Sequence, residues 1–167
     1  MSAAVFVDVD GVLVPLRSLT GDPAWGAWAP ESVSALGVVG VSALQLHAVG
    51  KLPAQLVWAT DWVDDANDVL GARVGRGHLP VCHRRDGRGF DWWKLGAITS
   101  WLAGNPGTRR VVWVDDKIGD VGPDGRTWGS QLITLLEVTS VELLLVEPDP
   151  DVGLTVAELA AIVDWLG

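Results

Sequence analysis

Short apolar runs bounded by polar residues recur along the chain, at residues 5–7, 55–59, 111–114 and 141–146. Runs of this length and composition predict buried β-strands. The first three end at polar side chains, namely Asp8, Thr60 and the adjacent pair Asp115 and Asp116. Each of these strands is therefore predicted to deliver a carboxylate or a hydroxyl to its carboxyl end.

Segments with helical signals separate the predicted strands, at residues 45–50, 61–70, 91–102 and 155–166. Asp91 is the expected N-cap of the third helix, and Thr155 with Glu158 forms a capping box for the last. Residues 79–82 form an apolar stretch that suits an edge strand. Because strands alternate with helices, the pattern predicts an α/β fold with a mainly parallel sheet and a site at the strands' carboxyl ends.

Residues 14–32 contain Pro15, Gly21, Pro23, Gly26 and Pro30, a density of helix breakers that excludes a long helix. We expect about twenty irregular residues here, enough for a small flap but not for a folded cap. The segment carries two tryptophans, at positions 25 and 28. We expect both to pack on the core; the alternative is that they contact a substrate.

Composition narrows the class of protein. A length of 167 residues, 49% hydrophobic and 20% charged, suits a single globular domain over residues 1–167. The net charge of -9 argues against general binding of polyanions. Cys82 is the single cysteine, no run approaches the length of a membrane span, and the first residues lack the basic segment of a signal peptide. We expect a cytoplasmic protein that does not contact a membrane.

The first predicted strand carries the candidate chemistry. Asp8 and Asp10 are two residues apart, so in an extended chain their side chains share one face, and Gly11 then allows a sharp turn. Two carboxylates at the mouth of a buried strand repel each other unless a cation lies between them. Oxygen ligands favour a hard divalent cation, most simply Mg²⁺. Asp115, Asp116 and Asp120 offer further carboxylates after a later strand.

Basic residues concentrate between positions 73 and 94, which hold six of the twelve: Arg73, Arg76, Arg84, Arg85, Arg88 and Lys94. Lys94 falls in the first turn of a predicted helix, where a cation opposes the helix dipole, so a compensating anion is implied nearby. The other basic residues form either a solvated loop or a binding surface for substrate. For the second alternative the candidates are Arg84, Arg85 and Arg88.

The four segments that end or begin at Asp8, Thr60, Lys94 and Asp116 resemble motifs I to IV of the haloacid dehalogenase (HAD) superfamily, in the family's order. Five segments show a narrower similarity, to the HAD domains of Swiss Army Knife RNA repair proteins. They are residues 57–62, 66–67, 93–95, 113–116 and 151–155. This resemblance implies a three-layer, HAD-like Rossmannoid fold with a small flap and no large cap.

The resemblance also implies roles for these residues. Asp8 would be the nucleophile that forms an aspartyl phosphate, and Asp10 the general acid and base. Thr60 and Lys94 would hold the phosphoryl oxygens. Mg²⁺ would bind the Asp8 carboxylate, the Asp10 backbone carbonyl and the acids Asp115 and Asp116, with Asp115 in the place of the commoner glycine.

The resemblance therefore implies a Mg²⁺-dependent phosphomonoester hydrolase. Its expected substrate is phosphorylated, and RNA ends bound through Arg84, Arg85 and Arg88 are one candidate. Two alternatives stay open. One is a phosphatase of small metabolites, and the other is a binding module that keeps the HAD fold without turnover.

Overall fold

Six strands and five helices follow one another in the computed structural model, which describes residues 2–33, 37–84, 92–137 and 139–167. The strands are β1 Ser2–Val7, β2 Trp28–Val33, β3 Gly37–Ser42, β4 Gln55–Trp58, β5 Thr108–Val114 and β6 Glu142–Val146. The helices are α1 Ala43–Gly50, α2 Ala72–Val74, α3 Trp93–Gly104, α4 Trp128–Leu136 and α5 Val156–Leu166. The predicted N-cap Asp91 lies outside the described residues.

Four strands form a parallel sheet in the order β4-β1-β5-β6. Val7 is paired with Trp58 on one side and with Val114 on the other, so three carboxyl ends lie side by side. The predicted edge strand at residues 79–82 is reduced to one parallel bridge between Trp58 and Val81. The mainly parallel sheet is confirmed, and it brings the polar residues that follow β1, β4 and β5 to one edge.

Two hydrophobic clusters cover the faces of the sheet. Val5 and Val7 of β1 belong to the cluster that contains residues of α1 and α5, whereas Ala4 and Phe6 belong to the cluster that contains residues of α3 and α4. This alternation follows from the two-residue period of a strand, with both faces buried as in parallel sheets. The result is the three-layer α/β architecture expected from the sequence.

The flap is a separate antiparallel hairpin of β2 and β3, in which Trp28 pairs with Ser42 and Val33 with Gly37. The sequence analysis predicted irregular structure up to residue 32 and was wrong for residues 28–32. No larger cap domain occurs in the ranges that the structure describes. Trp25 is buried and its indole N–H donates to the Leu154 carbonyl at 2.7 Å, while the half-buried Trp28 packs against the same cluster. Packing of both tryptophans is therefore confirmed.

The segment after Thr60 differs from the predicted helix over residues 61–70. Residues 61–64 form a turn, in which Val63 has a φ of 47°, and helical structure begins at Asp65. It continues as a π-helical segment, Asn67–Gly71, into α2. The Asn67 side chain holds this segment against β4 and residue 79. Its amide oxygen accepts hydrogen bonds from the Trp58 indole N–H and from the Leu79 backbone N–H. None of the described helices has the length and apolar character needed to cross a membrane.

Candidate active site

Adjacent strands place Asp8 and Asp115 next to each other. Asp8 follows β1, and its backbone N–H donates to the Val114 carbonyl at 3.0 Å. Asp115 follows β5, and its N–H donates to the Val146 carbonyl at 3.1 Å. The backbone hydrogen bonds of the sheet thus continue one residue beyond each strand. They fix both carboxylates at the carboxyl edge of the sheet.

Asp8, Asp115 and Asp116 each have a carboxylate oxygen within 4.8 Å of the other two. Oδ1 of Asp116 is buried without a hydrogen-bond partner among the described residues. Gly11 makes room for the Asp116 side chain, since a Cβ at position 11 would lie 2.6 Å from the Asp116 carboxylate. Gly11 also has a φ of 70°, a conformation that favours glycine. A buried, unpaired carboxylate oxygen is costly without a cation. The donor set therefore fits a hard divalent metal such as Mg²⁺.

Lys94 bridges two of these carboxylates. Its Nζ lies 2.5 Å from Oδ2 of Asp8 and 2.6 Å from Oδ2 of Asp115, and all three side chains are almost fully buried. These are the anions that the position of Lys94 at the start of α3 implied. Burial lowers the pKa of Lys94, but the attraction of the two carboxylates outweighs it, so the pKa is raised overall. Lys94 therefore remains a cation inside the site.

The second oxygen of each carboxylate distinguishes the two acids after β5. Oδ1 of Asp115 accepts from the Lys117 backbone N–H at 3.1 Å, so both Asp115 oxygens have partners within the protein. Oδ1 of Asp116 has none among the described residues. Burial and the negative charge of Asp8 raise the pKa of both acids. Asp116 is the better placed metal ligand, and Asp115 holds Lys94.

The Asp10 carboxylate does not belong to the three-carboxylate cluster. The sequence analysis expected Asp10 to bind the metal through its backbone carbonyl, and that stays a prediction. Its Oδ2 accepts a hydrogen bond from the Trp62 indole N–H at 2.9 Å. Burial raises the pKa of Asp10, the hydrogen bond from Trp62 opposes the rise, and the charge of Asp8 adds to it. A half-buried carboxyl of this kind can hold a proton that a reaction requires.

Thr60 is buried at the end of β4, and its Oγ1 accepts from the Trp62 backbone N–H at 3.3 Å. Trp62 thus contacts Thr60 through its backbone and Asp10 through its side chain. The sequence analysis did not select Trp62. The available signal was its place in the loop directly after a strand end, where functional side chains concentrate.

The basic segment divides into residues with different surroundings. Arg76 donates to the carbonyls of Gly50, the last residue of α1, and Ala54, which precedes β4. Arg73 forms an ion pair with Glu31 of the hairpin. These two arginines therefore stabilise the fold. Arg84 is exposed. The other two candidates for substrate binding, Arg85 and Arg88, lie outside the described residues.

The model of a protein family matches residues 4–159, and the family is the HAD domain in Swiss Army Knife RNA repair proteins. The matched range includes β1 from residue 4 onward, the other three strands of the central sheet, both strands of the hairpin and the site residues described above. No curated protein and no solved structure matches the chain.

Proposed function

The chain belongs to the family of HAD domains found in Swiss Army Knife RNA repair proteins, and on that premise we propose that it is a Mg²⁺-dependent phosphomonoester hydrolase. One observation carries the proposal. A buried lysine joins two strand-end carboxylates beside a carboxylate oxygen of Asp116 that has no hydrogen-bond partner in the part of the chain that the structure describes. This arrangement provides an oriented nucleophile, a fixed cation and a metal-binding oxygen within one site.

Asp8 is the proposed nucleophile because its carboxylate is held at both oxygens. Oδ1 accepts from the Val9 backbone N–H at 2.7 Å, and Oδ2 accepts from Lys94. Attack by one oxygen forms the bond to phosphorus while the bond from phosphorus to the leaving oxygen breaks. The product is an aspartyl phosphate, and the leaving oxygen takes its proton from Asp10.

Hydrolysis of the aspartyl phosphate completes the cycle. Asp10 accepts a proton from a water molecule, the water oxygen attacks phosphorus, and the bond to Asp8 breaks to release inorganic phosphate. Thr60 and Lys94 bind the phosphoryl oxygens during both steps. Mg²⁺, held by Asp8, Asp116 and the Asp10 carbonyl, would neutralise charge that develops on the phosphoryl group.

The proposed substrate is a phosphorylated RNA end. Two observations support this choice: the matched family is named for RNA repair proteins, and no cap domain covers the site within the described ranges. An open site admits the end of a long polymer, and the exposed Arg84 offers a cation for its phosphates. Hydrolysis confined to small sugar phosphates would instead favour the metabolite phosphatase.

The chemistry is tested by trapping the intermediate. Borohydride reduces an aspartyl phosphate to homoserine, which mass spectrometry locates in the sequence. We expect homoserine at position 8 after reaction with an aryl phosphate and Mg²⁺, and none when EDTA is added. Phosphate release that proceeds at the same rate with EDTA contradicts the proposed metal dependence. Absence of any turnover favours the binding-module alternative.

A further inference from the structure

An open groove of about 500 Å³ begins at Asp10 and runs between residues 14–19 and strand β3. Its lining includes Asp10, Leu16, Arg17, Leu19, Val38 and Val39. The volume lies within the usual range of small-molecule sites. Because the groove starts at the general acid of the proposed reaction, it lies on the side from which the leaving oxygen receives its proton.

Three of the groove's apolar side chains are strongly exposed: Leu16 at 52%, Leu19 at 48% and Val38 at 56% of their surface. Single exposed apolar residues are common on protein surfaces, but several that line one concave site indicate binding of an apolar group. Six other large hydrophobic residues are exposed on the described surface and do not line this groove, namely Leu44, Val63, Val121, Ile133, Val156 and Val163. Three of the nine therefore lie together in one concave site beside Asp10.

The walls of the groove are fixed by contacts outside it. The Leu16 backbone N–H donates to the Pro150 carbonyl at 2.9 Å, and the Asp22 N–H donates to the Val152 carbonyl at 3.1 Å. Gly40 of β3 allows the loop to approach closely, since a Cβ there would lie 2.0 Å from the Leu19 carbonyl oxygen. The exposed side chains are thus presented by an anchored loop, and a preformed site costs little ordering on binding.

The charges of the side chains that line the groove indicate which kind of ligand it can bind. Arg17 is the cation of the lining, and it forms an ion pair with Asp151 at 3.2 Å. Asp10 adds a carboxyl at the inner end of the groove. Among the described lining residues the positive charge of Arg17 is offset by the carboxyl of Asp10, so they carry no net positive charge that could hold a second phosphate. An uncharged group with an apolar face fits better than a sugar bisphosphate.

We propose that this groove binds the part of the leaving group that is bonded to the phosphate, and that this part is an uncharged, flat group about the size of a nucleoside. The proposal rests on the proposed function and specifies its substrate: a phosphate on a terminal nucleoside, whose base contacts Leu16, Leu19 and Val38. Specificity then comes from burial of apolar surface on binding, which acts mainly on KM.

The test compares a nucleoside monophosphate, glycerol phosphate and acetyl phosphate with the full chain and Mg²⁺. We expect kcat/KM for the nucleoside monophosphate to exceed that for glycerol phosphate by about tenfold or more. Leu19→Ser and Val38→Ser should each raise KM for the nucleoside monophosphate several-fold. Their effect on acetyl phosphate should be much smaller, because acetate is too small to fill the groove. Ile133→Ser, at an exposed apolar position of α4, is the matched control.

The outcomes separate the two proposals. If the wild type hydrolyses acetyl phosphate but prefers glycerol phosphate to the nucleoside monophosphate, the groove assignment is overturned and the phosphatase remains. Equal losses on all three substrates in the Leu19 and Val38 variants, with unchanged melting temperatures, also overturn it. Failure of the wild type on every phosphate ester and on acetyl phosphate removes the proposed function, and the groove assignment with it.

Discussion

Trp62 donates its indole N–H to Oδ2 of Asp10 at 2.9 Å, although the two residues are 52 positions apart in the sequence. The contact joins the loop after β4 to the loop after β1. It holds Oδ2 of Asp10, and the proposed reaction requires the other carboxyl oxygen to exchange the proton. Trp62 is also buried and anchored by its backbone N–H to Thr60. The orientation of the proposed general acid therefore depends on a residue from another strand end.

Trp62→Phe tests this relationship, because phenylalanine keeps an aromatic ring and removes the N–H. Loss of one hydrogen bond to a carboxylate, worth about 1.5 kcal/mol, should lower kcat by about tenfold for alkyl phosphates. Esters with a good leaving group, such as dinitrophenyl phosphate, need little protonation and should lose much less. The measurement is kcat over a series of leaving groups. An equal loss across the series would show that Trp62 only stabilises the fold.

Asp8→Asn removes the proposed nucleophile with little change of shape. We expect phosphatase turnover to fall by about four orders of magnitude or more, and borohydride trapping at position 8 to disappear. Asp120 was a further candidate carboxylate in the sequence, but it is exposed and does not belong to the cluster of Asp8, Asp115 and Asp116. Asp120→Asn is therefore the matched control and should keep its activity. Near-normal turnover of Asp8→Asn would contradict the covalent mechanism.

Mg²⁺ should raise the melting temperature of the wild type, because a ligand that binds only the native state stabilises it by mass action. At about 100 times Kd the gain is about 2.7 kcal/mol, which corresponds to several degrees for a chain of this length. Asp116→Ala should remove the gain and the activity together, while Asp120→Ala should keep both. Calorimetry with and without EDTA measures the effect. A wild-type melting temperature that does not change when Mg²⁺ is added would contradict the proposed metal site.

Arg84, Arg85 and Arg88 are the residues proposed to bind a nucleic-acid end. Changing all three to alanine should weaken hydrolysis of a phosphorylated oligonucleotide and flatten its salt dependence, because fewer counterions are released on binding. Turnover of an aryl phosphate should fall far less. Arg109→Ala, an exposed arginine near the amino end of β5, is the control. Equal losses of activity on both substrates would show that the three arginines stabilise the fold and do not bind nucleic acid.

Cys82 should not react with thiol reagents in the native protein at pH 8. Burial raises the pKa of the Cys82 thiol to about 12, so almost no thiolate is present at that pH. The unfolded thiol ionises at lower pH, so the folded state binds more protons above about pH 9 and stability falls as pH rises there. Titration with a chromogenic disulfide, with and without urea, checks this. Rapid labelling without urea would be inconsistent with burial.

The sequence was sufficient to predict the strand ends that form the site. A short apolar run followed by an acid is typical of a buried strand with a carboxylate at its end. Parallel strands bring their carboxyl ends to one edge of the sheet, and the conformation of the loops does not change this. The need of Lys94 for an anion likewise followed from its place at the start of a helix. These features depend on local patterns and on the parallel topology, so they can be predicted from a single sequence.

Other features depend on long-range contacts and could not be predicted in the same way. Strand β2 contains Pro30 and Glu31, which disfavour a strand, and its pairing with β3 outweighs that local preference. The turn at residues 61–64 replaces a predicted helical turn, and it places Trp62 where it reaches Asp10. Partners that are distant in the sequence decide both features.

Val63 lies next to Trp62 with a φ of 47°, a left-handed conformation that is unfavourable for a β-branched residue. Such strain costs about 1–3 kcal/mol and persists only where surrounding contacts enforce it. A sequence chosen for thermal stability alone would place glycine or asparagine at this position. Either replacement would relieve the strain and widen the range of conformations open to the turn that carries Trp62. Protein engineers who want heat resistance without loss of activity should therefore leave this turn unchanged and look for stabilising changes elsewhere.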